Sequence, residues 1–236
     1  MLASSPSLYL AIAGNMGSGK SSFTTVLTKH FEWKAFYEIV ETNPYLSDFY
    51  GDMSRWAFNT QMYFLSKRFQ SLQQILRTTD SIVQDRSIYE DAEIFARSLY
   101  LKGHMSERDY RTYSEHFEVL CEHIRTPDLM IYLRSDLPTL LERIEKRGRS
   151  YEKSISPDYI SFLNEQYEEW REKYKRGPII TIDVSKRDFL ARPEDLRQMV
   201  GIVKWEIEKL QNRLQTSLPL KLKGSKLSQS LTEAQA

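Results

Sequence analysis

Gly14, Gly19, Lys20 and Ser21 stand in the order G-x-x-x-x-G-K-S, within the stretch "GNMGSGKSSF". These residue types at this spacing suit the holding of phosphate. Glycines let successive backbone N–H groups converge on phosphate oxygens, the lysine neutralises the β and γ oxygens, and the serine hydroxyl can ligate Mg²⁺. The loop formed by Gly14, Asn15, Met16, Gly17, Ser18, Gly19, Lys20, Ser21 and Ser22 is therefore a candidate site for ATP or another nucleoside triphosphate. It specifies a bound nucleotide and leaves open where the phosphoryl group goes.

Further charged groups bear on that question. Glu38 and Asp85 are carboxylates near expected strand ends, Glu41 follows Glu38 closely, and Arg86 follows Asp85. Transfer to an alcohol needs a base beside the hydroxyl, for which Glu38 and Glu41 are both candidates. Arg86 can steady the acceptor oxygen and the incoming phosphoryl together. The segment "LLERIEKRGRSYEK" then crowds Arg143, Lys146, Arg147 and Arg149 into seven positions. Arg143 and Arg147 share a helix face at i,i+4, and Gly148 suggests that the helix ends there and a mobile loop begins. Alone, such a run reads as a solvated basic face. Behind a phosphate loop it reads as a lid whose arginines clamp the transferred group and whose closure excludes water.

These residues need a frame. Short β-rich runs at 8–13, 35–39, 82–85, 129–133 and 179–183 alternate with helical patterns at 55–77, 106–125, 157–174 and 194–214. Ser106 with Asp109 resembles a capping box, and Pro157 suits a first helical turn. The alternation predicts an α/β fold: a five-stranded parallel sheet flanked by helices, with ligands at the carboxyl ends of the strands. The chain has 236 residues, enough for one core, so residues 1–214 are expected to form a single domain. Residues 215–236 are polar and aperiodic, and read as a disordered tail.

Composition narrows the class. The formal net charge of +1 offers no global field for nucleic acid or membrane, and no apolar run approaches the roughly 20 residues of a membrane helix. The opening "MLASSPS" does not read as a signal peptide. Cys121 is the only cysteine, which excludes an intramolecular disulfide and fits a cytoplasmic protein. The four histidines show no metal spacing.

Taken together, "GNMGSGKS", "YEIVETNPYL", "FYGDMSRWAFNTQMYFLSKRF", "QDRSIYEDAEIFA" and "RIEKRGRSYEK" resemble the deoxynucleoside kinases, from about residue 8 to 210. The similarity is greatest to the bacterial deoxyadenosine/deoxyguanosine kinases and the animal deoxycytidine and deoxyguanosine kinases. The resemblance implies a P-loop fold like that of nucleotide kinases with an arginine-rich lid, a homodimer, an ATP-type donor, Mg²⁺ and 5′-phosphorylation of a deoxynucleoside in nucleotide salvage. Residue by residue, it implies Glu38 as catalytic base, Arg86 on the 5′ oxygen, and Ser21, Glu38 and Asp85 at the metal. It implies Arg143, Arg147 and Arg149 as lid arginines, with Arg143 also covering the donor base. Tyr50 and Glu152 match the pair that holds the sugar 3′-hydroxyl, Gln61 the base-reading glutamine, and Phe95 the aromatic stacked on the base. Arg68 and Asp91 match the charged pair at the base edge. Departures are Ile39 for a frequent proline, Asn43 for the tryptophan of animal members, Tyr151 for the first lid glutamate and Asp85 for a glutamate.

Gln61 and an ionised Asp91 together favour adenine or cytosine, and Arg68 could add a bond to guanine O6. The expected order is therefore deoxyadenosine and deoxycytidine, then deoxyguanosine, with thymidine poor. A nucleoside monophosphate kinase of thymidylate type is the enzyme alternative, and would need a phosphate-binding arginine in place of the Glu38 base. A kinase-like assembly subunit is the alternative of another class, and should lack Lys20, Glu38 or the lid arginines.

Overall fold

The computed structural model describes residues 7–38, 43–149, 152 and 154–217. Its sheet comprises β1 (Tyr9–Ala13), β2 (Lys34–Phe36), β3 (Ile82–Asp85), β4 (Leu129–Arg134) and β5 (Ile179–Asp183). The order is β2-β3-β1-β4-β5 and every pairing is parallel, as the strand–helix alternation predicts. Successive side chains in β1 point to opposite faces. Tyr9, Ala11 and Ala13 join a core with α3 (Met53–Arg77) and α8 (Pro157–Lys173). Leu10 and Ile12 join a second core with α1 (Lys20–Phe31) and α9 (Pro193–Ser217). Both faces of the sheet are thus covered, which is why its central strands are apolar throughout.

The remaining helices are shorter or pack on these. They are α2 (Leu46–Gly51), α4 (Ile88–Glu90), a π-helical stretch at Asp91–Ala96, α5 (Arg97–Leu101), α6 (Glu107–Cys121) and α7 (Leu137–Arg147). Local sequence explains their ends. Ser106 accepts from Asp109 N–H at the start of α6, and Ser156 does the same for Tyr159 in front of Pro157. Gly148 ends α7 in the left-handed region, at φ 66°.

Two boundaries differ from the expected ones. The second strand is Lys34–Phe36, not 35–39, because its partner β3 closes at Asp85 and Phe36 pairs with Gln84. Glu38 therefore lies beyond the sheet, on backbone free to bend. The final helix extends through the first residues of the expected tail to Ser217, and the rest of that tail lies outside the described residues. No described helix is long and apolar enough to cross a membrane.

Candidate active site

A cavity of about 500 Å³ opens at the carboxyl end of β1 and β3. Its floor is the β1–α1 loop. Gly19, at φ 93°, occupies a conformation that suits glycine, and a Cβ on Gly14 would come within 2.6 Å of Ser18 Oγ and 2.8 Å of Leu133 O. The loop can therefore turn this tightly only with glycine at these two positions. Met16, Gly17, Gly19, Lys20, Ser21 and Ser22 line the cavity. The Asn15 side chain turns away, donating to Ile160 O at 3.1 Å, while Ser18 is buried in the loop.

Lys20 folds back on the loop, its Nζ 2.7 Å from Gly14 O and 2.9 Å from Asn15 O. Burial and then the Arg86 charge lower its ammonium to about 8, against the pull of Asp85, Glu90 and Glu38. Ser21 Oγ donates to Asp85 Oδ2 at 2.5 Å. The other oxygen, Asp85 Oδ1, is buried without a hydrogen-bond partner, and burial raises this carboxyl above the usual range.

Glu38 lies between two guanidiniums. Its Oε1 accepts from Arg68 Nη2 at 2.9 Å and lies 2.8 Å from Arg86 Nε. The second contact is an ion pair rather than a hydrogen bond, because the Arg86 N–H points off line. Burial acts to raise Glu38, but Arg86, Arg68 and Lys20 outweigh it and hold the carboxyl at about 2. Arg86 itself sits at φ 65°, rare for a residue with a side chain. Its Nη1 donates to Tyr167 OH at 3.0 Å, and its guanidinium lies 4.5 Å above the Phe95 ring.

The acceptor side gathers residues from distant elements. Gln61 from α3 and Asp91 and Phe95 from the π-helical stretch line the cavity, with Tyr50 and Glu152 at its rim. Asp91 and Phe95, four residues apart in the π-helical stretch, lie nearly on one face. Arg68 stands one layer back. Its Nε donates to Asp91 Oδ2 at 2.9 Å and its Nη1 to Asp85 O at 3.2 Å, while Nη2 takes Glu38. All three nitrogens face protein oxygens, so Arg68 positions Asp91 and Glu38 and is not placed to reach a guanine keto group.

The lid arginines divide. Arg147 and Arg149 line the cavity. Arg147 binds Glu152 through Nη2 at 2.5 Å and Nε at 3.1 Å. Arg143 instead donates to Val184 O at 3.1 Å and Arg187 O at 2.7 Å, in the loop after β5. It clasps that loop to α7 and does not line the cavity. Glu41, the second candidate base, lies outside the described residues, as do Ile39 and Tyr151. Asn43 shapes a turn by accepting Tyr45 N–H at 3.0 Å, and is not in the cavity wall.

Sequence reasoning missed Phe64 and Tyr159, both in the cavity wall. Each sits on an apolar helix face, where an aromatic ordinarily reads as core. It also missed Tyr167 and Glu90 behind Arg86. Ser87-x-x-Glu90 carries a capping-box signature that could have drawn attention to Glu90.

A family model described as deoxynucleoside kinase matches residues 10–208. The chain is 39% identical over 193 residues to the deoxyadenosine/deoxycytidine kinase of Bacillus subtilis, covering 81% of this chain and 89% of that one. It is 38% identical over 201 residues to a deoxyguanosine kinase of Lactobacillus johnsonii, covering 81% and 89%. Its fold matches the structure of deoxyadenosine kinase from M. mycoides with bound dATP, at a TM-score of 0.74 and 30% identity, covering 84% of this chain and 99% of the other.

Proposed function

Because the chain belongs to the deoxynucleoside kinase family, we propose that its cavity carries the γ-phosphoryl of ATP, or of another nucleoside triphosphate, to the 5′-hydroxyl of deoxyadenosine or deoxycytidine. The observation that carries the residue assignments is the position of Glu38. An ionised carboxylate sits between two guanidiniums in the same cavity as Lys20 and Ser21. That is where an alcohol should be held in line with a phosphoryl group.

The donor's phosphates lie along the loop, and Lys20 turns from its carbonyl partners toward them. Glu38 accepts a hydrogen bond from the 5′-hydroxyl. Arg86 is the largest influence holding its carboxyl down, so once that guanidinium turns to the phosphoryl oxygens Glu38 can take the hydroxyl proton as the 5′ oxygen bonds the γ phosphorus and the nucleoside diphosphate leaves. Arg86, released from Glu38, meets the equatorial oxygens, and Arg147 and Arg149 close from the lid. Ser21 and Asp85 suit Mg²⁺, since a hydroxyl and a buried carboxylate oxygen without a partner stand together, with Glu38 lining the same cavity. The ion would neutralise charge on the β and γ oxygens. Among the described residues no three acidic, histidine or cysteine groups form a metal cage, consistent with an ion that arrives with its phosphates.

Base choice follows from Gln61 and Asp91. With Arg68 held behind it, Asp91 acts as an acceptor and favours an exocyclic amino group beside a ring nitrogen. Adenine and cytosine present that pair, guanine pairs less well without an arginine at O6, and thymine presents a keto oxygen. The relatives carry both preferences at nearly equal identity, so the geometry rather than the identity supports this order. An ATP-consumption screen over the four deoxynucleosides, with dAMP and dTMP beside them, tests it. Deoxyadenosine and deoxycytidine should lead. Turnover confined to the monophosphates would overturn the acceptor assignment, and efficient thymidine turnover the reading of Asp91.

A further inference from the structure

Ser87-x-x-Glu90 closes as a capping box: Ser87 Oγ accepts Glu90 N–H at 3.4 Å, and Glu90 Oε2 accepts Ser87 N–H at 2.8 Å. A capping-box glutamate commonly sits at a helix surface, where its task ends with that bond. Glu90 is 0% exposed. Its second oxygen leaves the helix altogether. Oε1 accepts the N–H of Gly14, first residue of the phosphate loop, at 3.1 Å, and the hydroxyl of Tyr167 at 2.8 Å. That same hydroxyl accepts Arg86 Nη1 at 3.0 Å. One carboxylate thus gathers donors from the β1–α1 loop, the β3–α4 turn and α8.

We propose that Glu90 is a positioning residue that holds the phosphate loop and Arg86 in one rigid frame, so that donor and acceptor meet in line. Capping alone does not call for this arrangement. A buried carboxylate is costly unless every lone pair is used, and an apolar side chain would fill the space at less expense to the fold. The carboxylate is also placed where strain must be held. Arg86 has a left-handed backbone, and Ser87, bonded twice to Glu90, is the next residue. The reaction rewards such fixing, because phosphoryl transfer draws on positioning more than on covalent chemistry.

Glu90→Gln preserves volume but turns one acceptor into a donor. The new N–H₂ must face either Gly14 N–H and Tyr167 O–H, or Ser87 N–H, so one side of the frame is lost. We expect kcat to fall about ten- to a hundredfold, the scale of a small misplacement, with KM for ATP and for the deoxynucleoside changed by less than about threefold. Tyr167→Phe, which removes the hydroxyl between Arg86 and Glu90, should lower kcat in the same direction. The double variant should lose little more than the more damaging single. Should Glu90→Gln not fold, Tyr167→Phe decides alone. A kcat within about twofold of the parent, measured well below the melting temperature, would overturn the inference even if that temperature drops, since a purely structural role moves stability and not the kcat–KM split. The inference rests on the roles given above to the phosphate loop and Arg86. Arg86→Ala, run alongside, separates the failures. Normal turnover there would remove those roles, whereas a large loss there beside an unaffected Glu90→Gln would remove only this one.

Discussion

Single residues set the charge state of the site, and pH reads it. Burial and the Arg86 charge lower Lys20 from its ordinary 10.5 to about 8, so it is cationic at pH 7 and loses its proton as pH rises through about 8. The value of kcat/KM for ATP reports the free enzyme and should fall across that range. Bound phosphates favour the charged form, so the limb in kcat should lie higher. Lys20→Arg should remove the limb, and Lys20→Ala should lose turnover in a chain that still folds. For folding the sign is reversed. Between about 8 and 10.5 the unfolded chain keeps a proton that the folded one has released, so this group favours the folded state more as pH rises. Glu38→Gln should cut kcat by about a hundredfold, a typical loss for a group that handles the reacting proton, with a smaller change in acceptor KM. A folded Glu38→Gln enzyme with normal kcat would pass the role to another carboxylate. Arg68 and Asp91 are both buried; removing Arg68 leaves Asp91 without its guanidinium, at a cost of about 3–5 kcal/mol, whereas removing Asp91 leaves Arg68 still on Glu38 and the Asp85 carbonyl. Arg68→Met combined with Asp91→Ala should be milder than Arg68→Met alone by thermal melting, and should raise thymidine turnover relative to deoxyadenosine.

Elements decide which of these residues meet. Arg147, Arg149 and Glu152 bring two guanidiniums and a carboxylate to the cavity, joined by the Arg147–Glu152 contact, and the proposed reading gives the arginines to phosphate and the carboxylate to the sugar. Glu152→Ala and Tyr50→Phe should each raise acceptor KM, and 3′-deoxy analogues should be poor substrates of the unaltered enzyme. A site built to bond a hydroxyl leaves buried polar groups unpaired when that hydroxyl is missing. Equal efficiency with and without the 3′-hydroxyl, in steady-state kinetics, would remove this sugar clamp. The elements themselves were largely legible. Apolar runs, capping serines and Pro157 mark the strands and helices because each is a local signal. What stayed hidden depends on pairing or on backbone geometry. The alternation through Phe36, Tyr37 and Glu38 reads as strand until β3 runs out of partners. The π-helical stretch that carries Asp91 and Phe95 leaves no mark in the hydrophobic period. Arg143 and Arg147 share a helix face as expected, but Arg143, a turn earlier in α7, commits its guanidinium to Val184 O and Arg187 O, and only Arg147 lines the cavity. Arg68 reads as a base contact from its position along α3, two turns beyond Gln61. Only the side chains packed around it show that its nitrogens face Asp91, Glu38 and the Asp85 carbonyl.

At the scale of the molecule, the distribution of exposed apolar groups bears on assembly. Leu76 near the end of α3, Leu101 at the end of α5 and Val119 on α6 are each about half exposed, at 47%, 50% and 57%. All three helices belong to the side of the sheet that carries the acceptor pocket. On the other side Leu190, Ile202 and Trp205 are exposed too, with the Lys209 ammonium 3.9 Å over the Trp205 ring giving that one residue a polar cover. We propose that a second copy of the chain covers the first set, along 89–102 and 106–125, as the family resemblance implies. Such a dimer needs roughly 800 Å² buried on each partner, which paired helices can supply. It would also bear on catalysis, since the helical stretch that carries Asp91 and Phe95 would be braced from outside by the partner. Sedimentation equilibrium at micromolar concentration should give twice the chain mass. Val119→Glu with Leu101→Glu should shift it toward the monomer by placing unpaired charge at the interface centre. If the interface braces the base pocket, the monomeric form should show a raised acceptor KM before any change in ATP KM. A parent chain that sediments as a monomer at these concentrations would overturn the proposal, whatever the activity measured beside it.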